Sequence, residues 1–439
     1  MSAAAADRAQ PAVLDRRLGA FEEAMILTQE YSPFNVIVAL RLRPAPPLAA
    51  VRTALDVVQR EQPALRCAVA GRPGRRRFVP VATPLPLTVD EEGDATPFLA
   101  AVTEELAREL PLAEGPLLHV RHRRRAGEAE LLLTFPHAIV DAASGVALVD
   151  RLLQQVAGAA GSAAPVPPLP FLPARFPARF RGPAGRLRAL AALARGLGSE
   201  MSFQLRTRGA GLAGIDRQAR SRVLAIELDE AATATAVGAA RRAGVTLNSA
   251  LCAAFLLAAR HRLRHGKRLP ARLFTMADLR RWVDPPLDAG TLGAGWAMMR
   301  FVVEPAPGED VWTLARAINE QIGERLRRGE KYLAYRTILP MMRIGLGGRR
   351  FRMGEMAISH VGPAPIAQRY GDYEVPELQV FVSNIDLGPE YIVQSRLRGG
   401  RLGWGIVYLD TDMSGELARA VAEEAAALLV AAARREEVR

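Results

Sequence analysis

The chain has few of the residues from which proteins build disulfides and metal centres. Among 439 residues it contains two cysteines, Cys67 and Cys252, and six histidines. So few cysteines exclude a disulfide-rich scaffold. We expect both to be reduced core thiols, with a single Cys67–Cys252 bridge as the alternative.

Long apolar runs are also missing. No stretch approaches the roughly 18–20 uninterrupted apolar residues that a membrane span needs. The first ten residues, M-S-A-A-A-A-D-R-A-Q, lack the apolar core of a secretion signal. From these two absences we expect a soluble, cytoplasmic protein.

Apolar residues and arginine, by contrast, are plentiful. Hydrophobic residues make up 49% of the chain, which is enough for sizeable cores. The net charge of +12 favours acidic partners, such as nucleic acid, coenzyme A phosphates, an acidic carrier protein or anionic lipid. We expect no nucleic-acid partner, because no Cys/His finger or aromatic-basic strand signature accompanies the charge. Contact with a membrane surface stays open.

Strand and helix patterns alternate in both halves of the chain. The region 1–160 mixes strands and helices, 161–185 is rich in proline and glycine, and 186–439 mixes strands and helices again. Proline at that density is typical of a linker or crossover. The sequence therefore predicts α/β (α+β) architecture, with two two-layer sandwiches side by side and a cleft between them.

His137 is the histidine whose surroundings favour chemistry. It follows the β-like run L-L-L-T-F-P and precedes a predicted helix, so it lies on a strand-to-helix loop of the kind that often presents catalytic groups. Asp141 follows four residues later, and an imidazole with a pKa near 7 can take a proton from a hydroxyl or amine. The spacing H-x-x-x-D is weak alone. A loop histidine beside a helix-capping aspartate is the alternative.

Several segments together resemble the chloramphenicol acetyltransferase-like superfamily, which includes condensation domains, wax ester synthases and polyketide-associated acyltransferases. Its signature H-H-x-x-x-D-G reads here P-H-A-I-V-D-A, with Pro136 and Ala142 departing from it. Further segments match in the same order along nearly the whole chain, among them E-Q-P-A-L-R-C, G-V-T-L-N-S-A-L, M-A-D-L-R-R, T-L-G-A-G-W and A-I-S-H-V-G-P.

The resemblance implies a V-shaped pseudo-dimer of two subdomains with a central tunnel. His137 would be the general base, and the acyl group would pass from a thioester donor to the acceptor without an acyl-enzyme. Asp141 would be structural and paired with Arg280 or Arg281. We assign substrate contacts to Ser144, Gly145, Ser359 and His360, the last standing where relatives have asparagine.

The resemblance also implies partners. An acyl-CoA or acyl-carrier protein would supply the thioester through coenzyme A or phosphopantetheine. A small molecule, lipid or polyketide would accept the acyl group at a hydroxyl. We expect a monomer with no permanently bound cofactor. The alternatives are a stand-alone condensation-like domain that forms amides and a catalytically silent carrier-docking module.

We predict no metal site. His261 and His265 have the i,i+4 spacing of a two-histidine metal face, but cations surround them and no third ligand is near in sequence. A basic helix end is the better interpretation.

Overall fold

The computed structural model describes residues 13–90, 95–158, 166–207, 219–263, 270–347, 352–363 and 366–437. The strands are β1 (Arg16–Arg17), β2 (Asn35–Arg43), β3 (Cys67–Ala70), β4 (Arg77–Pro80), β5 (Leu87–Val89), β6 (His119–Arg125), β7 (Glu128–Pro136), β8 (Ser221–Glu227), β9 (Ala271–Asp278), β10 (Trp296–Val303), β11 (Met356–Pro363), β12 (Arg369–Tyr370), β13 (Tyr373–Val382), β14 (Tyr391–Arg398) and β15 (Arg401–Leu409). The α-helices are α1 (Ala20–Tyr31), α2 (Leu48–Glu61), α3 (Phe98–Leu106), α4 (Ala142–Val156), α5 (Gly182–Thr207), α6 (Glu230–Arg242), α7 (Leu247–Leu263), α8 (Val311–Arg328), α9 (Glu330–Gly347) and α10 (Gly415–Glu437).

Two six-stranded sheets organise these elements. The first has the order β12-β13-β2-β7-β6-β5, and the second has the order β10-β9-β11-β14-β15-β8. A small sheet, β1-β4-β3, flanks the first half. Helices cover both large sheets, so the predicted fold class, two α/β sandwich units with a cleft between them, is confirmed.

The strand β13 crosses from the second half of the chain into the first sheet. It pairs antiparallel with β2, with Phe381 opposite Ile37 and Val382 opposite Val36. The sequence places these residues in the second subdomain, but their backbone partners belong to the first. Without β13, β2 would leave an unpaired edge at the middle of the molecule, and pairing covers it.

A compact apolar cluster joins the two sheets beside this crossing strand. Phe381 is fully buried there with Ile37 and Ala39 of the first sheet, and with Phe274 and Val407 of the second. Larger cores fill each half, one around β2, β7 and α4, the other around α7, α10 and β15. The two halves are therefore held together by apolar packing as well as by the shared strand.

The helix predicted to follow His137 is α4, and strands and helices occur in both halves of the chain as expected. The helix α5 is a difference, because it begins at Gly182, inside the predicted linker, and runs for 26 residues. No single helix in the described ranges is long and apolar enough to cross a membrane, although α6 and α7 pass that test jointly as a pair bent by 106°.

Replacing Phe381 by alanine should destabilise the fold strongly. A fully buried phenylalanine truncated to alanine costs about 3–5 kcal/mol, because transfer energy is lost and a cavity remains. Urea denaturation measures this loss, with the half-exposed Phe171→Ala as a matched control that should cost less than about 1 kcal/mol. Equal effects of the two substitutions would contradict the role of the crossing strand.

Candidate active site

The strand β7 delivers His137 to the cleft. Pro136 ends the strand opposite Asn35, and the backbone N–H of His137 then donates to the carbonyl of Phe34 at 3.3 Å. A tight turn follows, in which Ile139 N–H donates to the Pro136 carbonyl at 3.2 Å. The imidazole is buried and lines a cavity between the two halves. Its backbone is therefore fixed by the first sheet on one side and by the turn on the other.

One hydrogen bond sets the tautomer of His137. Its Nδ1 lies 2.8 Å from the carbonyl oxygen of Val140. A carbonyl can only accept, so Nδ1 carries the proton and Nε2 keeps its lone pair. Burial lowers the pKa of His137, although the bond to Val140 and the Asp141 carboxylate act in the opposite direction. The side chain is therefore a neutral imidazole with a basic Nε2 at physiological pH.

The hydrogen bonds of the Asp141 carboxylate go to α4 and to the other half of the chain rather than to the imidazole. Its Oδ1 accepts from the backbone N–H and the hydroxyl of Ser144, each at 2.9 Å. Its Oδ2 accepts from the guanidinium of Arg280 and from the backbone N–H of Gly295 at 3.1 Å. The carboxylate is thus satisfied at a helix N-terminus, where negative charge is favoured.

Arg280, rather than Arg281, is the partner of Asp141. Arg280 is buried, and its second guanidinium nitrogen also donates to the carbonyl of Thr291 at 2.9 Å. Arg281 is exposed and lines the mouth of the cavity. A glycine is needed at position 295, because a Cβ there would lie 2.4 Å from the Arg280 guanidinium. The segment T-L-G-A-G-W therefore wraps the ion pair.

A row of aromatic rings supports His137, and the sequence interpretation missed it. The Trp296 ring stacks on the imidazole with centroids 4.7 Å apart. Behind it, Phe21 meets Trp296 edge-on at 4.9 Å and stacks on Tyr335 at 4.5 Å. The segment T-L-G-A-G-W could have indicated this contact, because it places a tryptophan directly after two closely spaced glycines. Trp296 therefore supports the ring plane of His137 from the opposite half of the chain, and Phe21 packs against Trp296 from the first half.

The cavity at His137 measures about 310 Å³ and is mainly apolar. Methionines are frequent in its lining: Met25, Met276, Met298, Met342 and Met353. Polar side chains from both halves also reach it: Thr28, His137, Asp141, Asp278, Arg280, Arg281, Ser359, His360, Asn384 and Gln394. A second cavity of about 730 Å³ lies under α5 and shares Phe274, Met298, Ile338 and Met353 with the first. The two cavities therefore share part of their walls, and His137 lines the first of them.

The other predicted contact residues divide into two groups. Ser359 and His360, on β11, line the cavity, and His360 Nδ1 lies 2.8 Å from the Ser395 hydroxyl. Burial lowers the pKa of His360. Ser144 and Gly145, also predicted to contact the substrate, do not line this cavity. Their helix turns them inward, so Ser144 serves Asp141 and Gly145 packs against Val38.

The described residues hold no cluster of histidine, cysteine and carboxylate side chains that could bind a metal. His261 contacts Glu424 at 2.6 Å, and His265 lies outside the described residues. Cys67 and Cys252 are both buried free thiols. Burial raises the pKa of Cys67 to about 12, so it is not a thiolate nucleophile.

Removing Arg280 should destabilise the protein far more than removing Arg281. Arg280→Ala leaves the Asp141 carboxylate buried without its cationic partner, which costs about 3–5 kcal/mol. Arg281→Ala changes the same charge at an exposed position and should stay within about 0.5 kcal/mol. Urea denaturation measures the free energy of unfolding of both variants. Similar losses in the two variants would show that the buried ion pair does not stabilise the protein more than an exposed arginine does.

The imidazole of His137 should titrate below its ordinary value. Burial disfavours the charged form, so the pKa should lie under the reference of about 6.5. Proton NMR of the histidine ring signals against pH, assigned with a His137→Gln variant, measures it. The neutral form of His137 should therefore persist as the pH falls to 6.5. Any loss of activity caused by protonation of His137 should begin only below that pH. A pKa of 6.5 or above would contradict the burial argument.

Part of the second half of the chain resembles a known family. Residues 217–388 match the family model of the phthiocerol/phthiodiolone dimycocerosyl transferase C-terminus. No curated protein sequence matches the chain.

Solved structures match over almost the full length. Polyketide synthase associated protein 5 from Mycobacterium tuberculosis is 18% identical with a TM-score of 0.68, covering 97% of this chain and 100% of its own. Trichothecene 15-O-acetyltransferase from Fusarium sporotrichioides is 12% identical with a TM-score of 0.72, covering 98% and 100%. The condensation domain of the monacolin K polyketide synthase is 11% identical with a TM-score of 0.69, covering 97% and 98%. The expected resemblance in fold is therefore confirmed: the chain has the fold that these acyltransferases and this condensation domain share.

Proposed function

We propose that the protein is an acyltransferase that moves an acyl group from a thioester donor to a hydroxyl acceptor, with His137 as general base. The observation that carries the proposal is the tautomer of His137. Its Nδ1 is occupied by the Val140 carbonyl, and its Nε2 is the basic atom of a side chain that lines an apolar cavity. A neutral imidazole held in one orientation is the arrangement that general-base chemistry requires.

The proposed reaction runs in two steps without an acyl-enzyme. His137 Nε2 takes the proton of the acceptor O–H while the oxygen attacks the thioester carbonyl carbon, and the C=O electrons move onto oxygen. The tetrahedral intermediate then collapses, the C–S bond breaks, and the imidazolium returns the proton to the departing sulfur. The products are an ester and a free thiol, and His137 regains its starting state.

The cavity lining supports an acyl substrate. Methionine side chains are flexible and polarizable, so they adapt to apolar chains of varied shape. The second cavity, under α5, shares four lining residues with the first and would offer further room for a long acyl chain. The donor would be acyl-CoA or an acyl-carrier protein, with the coenzyme A or phosphopantetheine arm as co-substrate. The match to a dimycocerosyl transferase family and to a polyketide synthase associated protein supports a role in lipid or polyketide biosynthesis.

Residues from the second half would face the acceptor. Ser359 and His360 lie on β11 across the cavity, where a hydroxyl and an imidazole can hydrogen-bond a polar group of the substrate. Asp141 and Arg280 would act as positioning residues, because their hydrogen bonds go to protein groups and to each other. In this proposal the base comes from the first half and the acceptor contacts come from the second.

Replacing His137 should abolish most of the turnover. Loss of a general base lowers kcat by about 10²–10⁴-fold. The assay is release of free thiol from acyl-CoA and acyl-carrier donors of increasing chain length, with a long-chain primary alcohol as acceptor. His261→Ala is the matched control, because His261 is exposed on α7 and outside the cavity, and it should keep wild-type turnover.

Three outcomes would change the proposal. Unchanged turnover in His137→Ala removes the base assignment. Faster turnover with a primary amine than with the matched alcohol favours the amide-forming, condensation-like alternative. Absence of turnover by the wild-type protein with every donor and acceptor favours a silent carrier-docking module.

A further inference from the structure

The helix α5 exposes an apolar stripe along its length. Leu187, Leu190, Leu197, Met201 and Leu205 are between 44% and 73% exposed. Their spacings of three, seven, four and four residues place them on one face of the helix. Scattered exposed leucines need no explanation, but five aligned large side chains on one helix do.

The opposite face of α5 is anchored firmly, so the stripe is not a poorly packed core face. Phe203 is fully buried and lies under the guanidinium of Arg272 at 4.3 Å. The Glu200 carboxylate, on the same side of the helix, forms salt bridges with Arg272 at 2.7 Å and with Arg300 at 2.8 Å. These contacts fix the rotation of the helix and hold the stripe toward solvent.

The charges beside the stripe are cationic. One flank of the stripe carries Arg188, then Arg195 seven residues later and Arg206 eleven residues after that. The other flank carries Arg186. The single carboxylate within α5, Glu200, points inward to its two arginines. A second copy of this helix placed on the stripe would therefore bring arginines against arginines.

An arginine-lined hollow adjoins that flank. A cavity of about 300 Å³ is lined by Arg179, Arg188, Arg195 and Arg328, together with Phe180, Ala191 and Leu333. Within the described ranges, Arg195 has no ion-pair partner, whereas Arg328 pairs with Glu324. Clustered guanidinium groups without a lining carboxylate bind phosphate well.

We propose that α5 docks the protein on an anionic membrane surface. The apolar stripe would enter the boundary between headgroups and acyl chains. The flanking arginines would bind lipid phosphates, and one phosphate would occupy the arginine-lined hollow. The helix rises 1.5 Å per residue, so its 26 residues lie along about 39 Å of surface. The proposal stands independently of the catalytic assignment to His137.

The test is co-sedimentation of the full chain with vesicles of phosphatidylcholine alone or of phosphatidylcholine and phosphatidylglycerol in equal amounts. The protein should bind the anionic vesicles, bind the neutral ones weakly, and dissociate as salt is added. Leu190→Gln with Met201→Gln, and separately Arg188→Gln with Arg195→Gln, should each weaken binding by roughly tenfold or more. Both pairs are exposed, so thermal unfolding should match the wild type.

The matched control is Arg72→Gln with Arg75→Gln, which removes the same charge from an exposed turn in the first half and should bind nearly as the wild type does. Equal binding by the α5 variants and the wild type would overturn the proposal. So would equal loss in the control, because that result would mean binding follows net charge alone. A concentration-dependent dimer that the Leu190/Met201 variant loses, without vesicle binding by the wild type, would assign the stripe to a second copy instead.

Discussion

The buried ion pair between Asp141 and Arg280 is the interaction on which the rest of the site depends. Asp141 begins α4 in the first half of the chain, and Arg280 follows β9 in the second. Taking both charges out of water is costly, and hydrogen bonds to each partner offset the cost. Ser144 and Gly295 donate to Asp141, and the terminal nitrogens of Arg280 donate to Asp141 and to the Thr291 carbonyl, while Arg280 Nε has no partner among the described residues. Such a pair tolerates one geometry, so it fixes the loop that carries His137 relative to the second sheet.

The aromatic row and the crossing strand also hold the two halves of the chain together. Trp296 begins β10 one residue after Gly295, so the segment that closes the ion pair also places the ring that stacks on His137. The strand β13 and Phe381 then join the two sheets through backbone pairing and apolar packing. A base from one half and a cavity wall from the other are thereby held together without a metal or a disulfide among the described residues.

The sequence predicted the helix after His137 and the candidate site residues, because neighbouring residues in the chain determine both. Periodicity located α4, and the order of short motifs pointed to His137, Asp141 and the D-L-R-R arginines. It could not choose between Arg280 and Arg281, since that choice depends on which side of a short 3-10 helix faces Asp141. It also could not show that a helical turn directs Ser144 and Gly145 inward, away from the cavity. It also missed the stacking of Trp296 on His137 and the pairing of β13 with β2, because these partners lie far apart in sequence, and it missed the helix α5.

A double-mutant cycle on Asp141 and Arg280 tests the central claim most directly. The free energy of unfolding is measured by urea denaturation for the wild type, Asp141→Asn, Arg280→Met and the double variant. If the pair holds the halves in register, the two single losses are strongly non-additive, with a coupling free energy of about 2–3 kcal/mol. Additive losses, to within about 0.5 kcal/mol, would contradict the account.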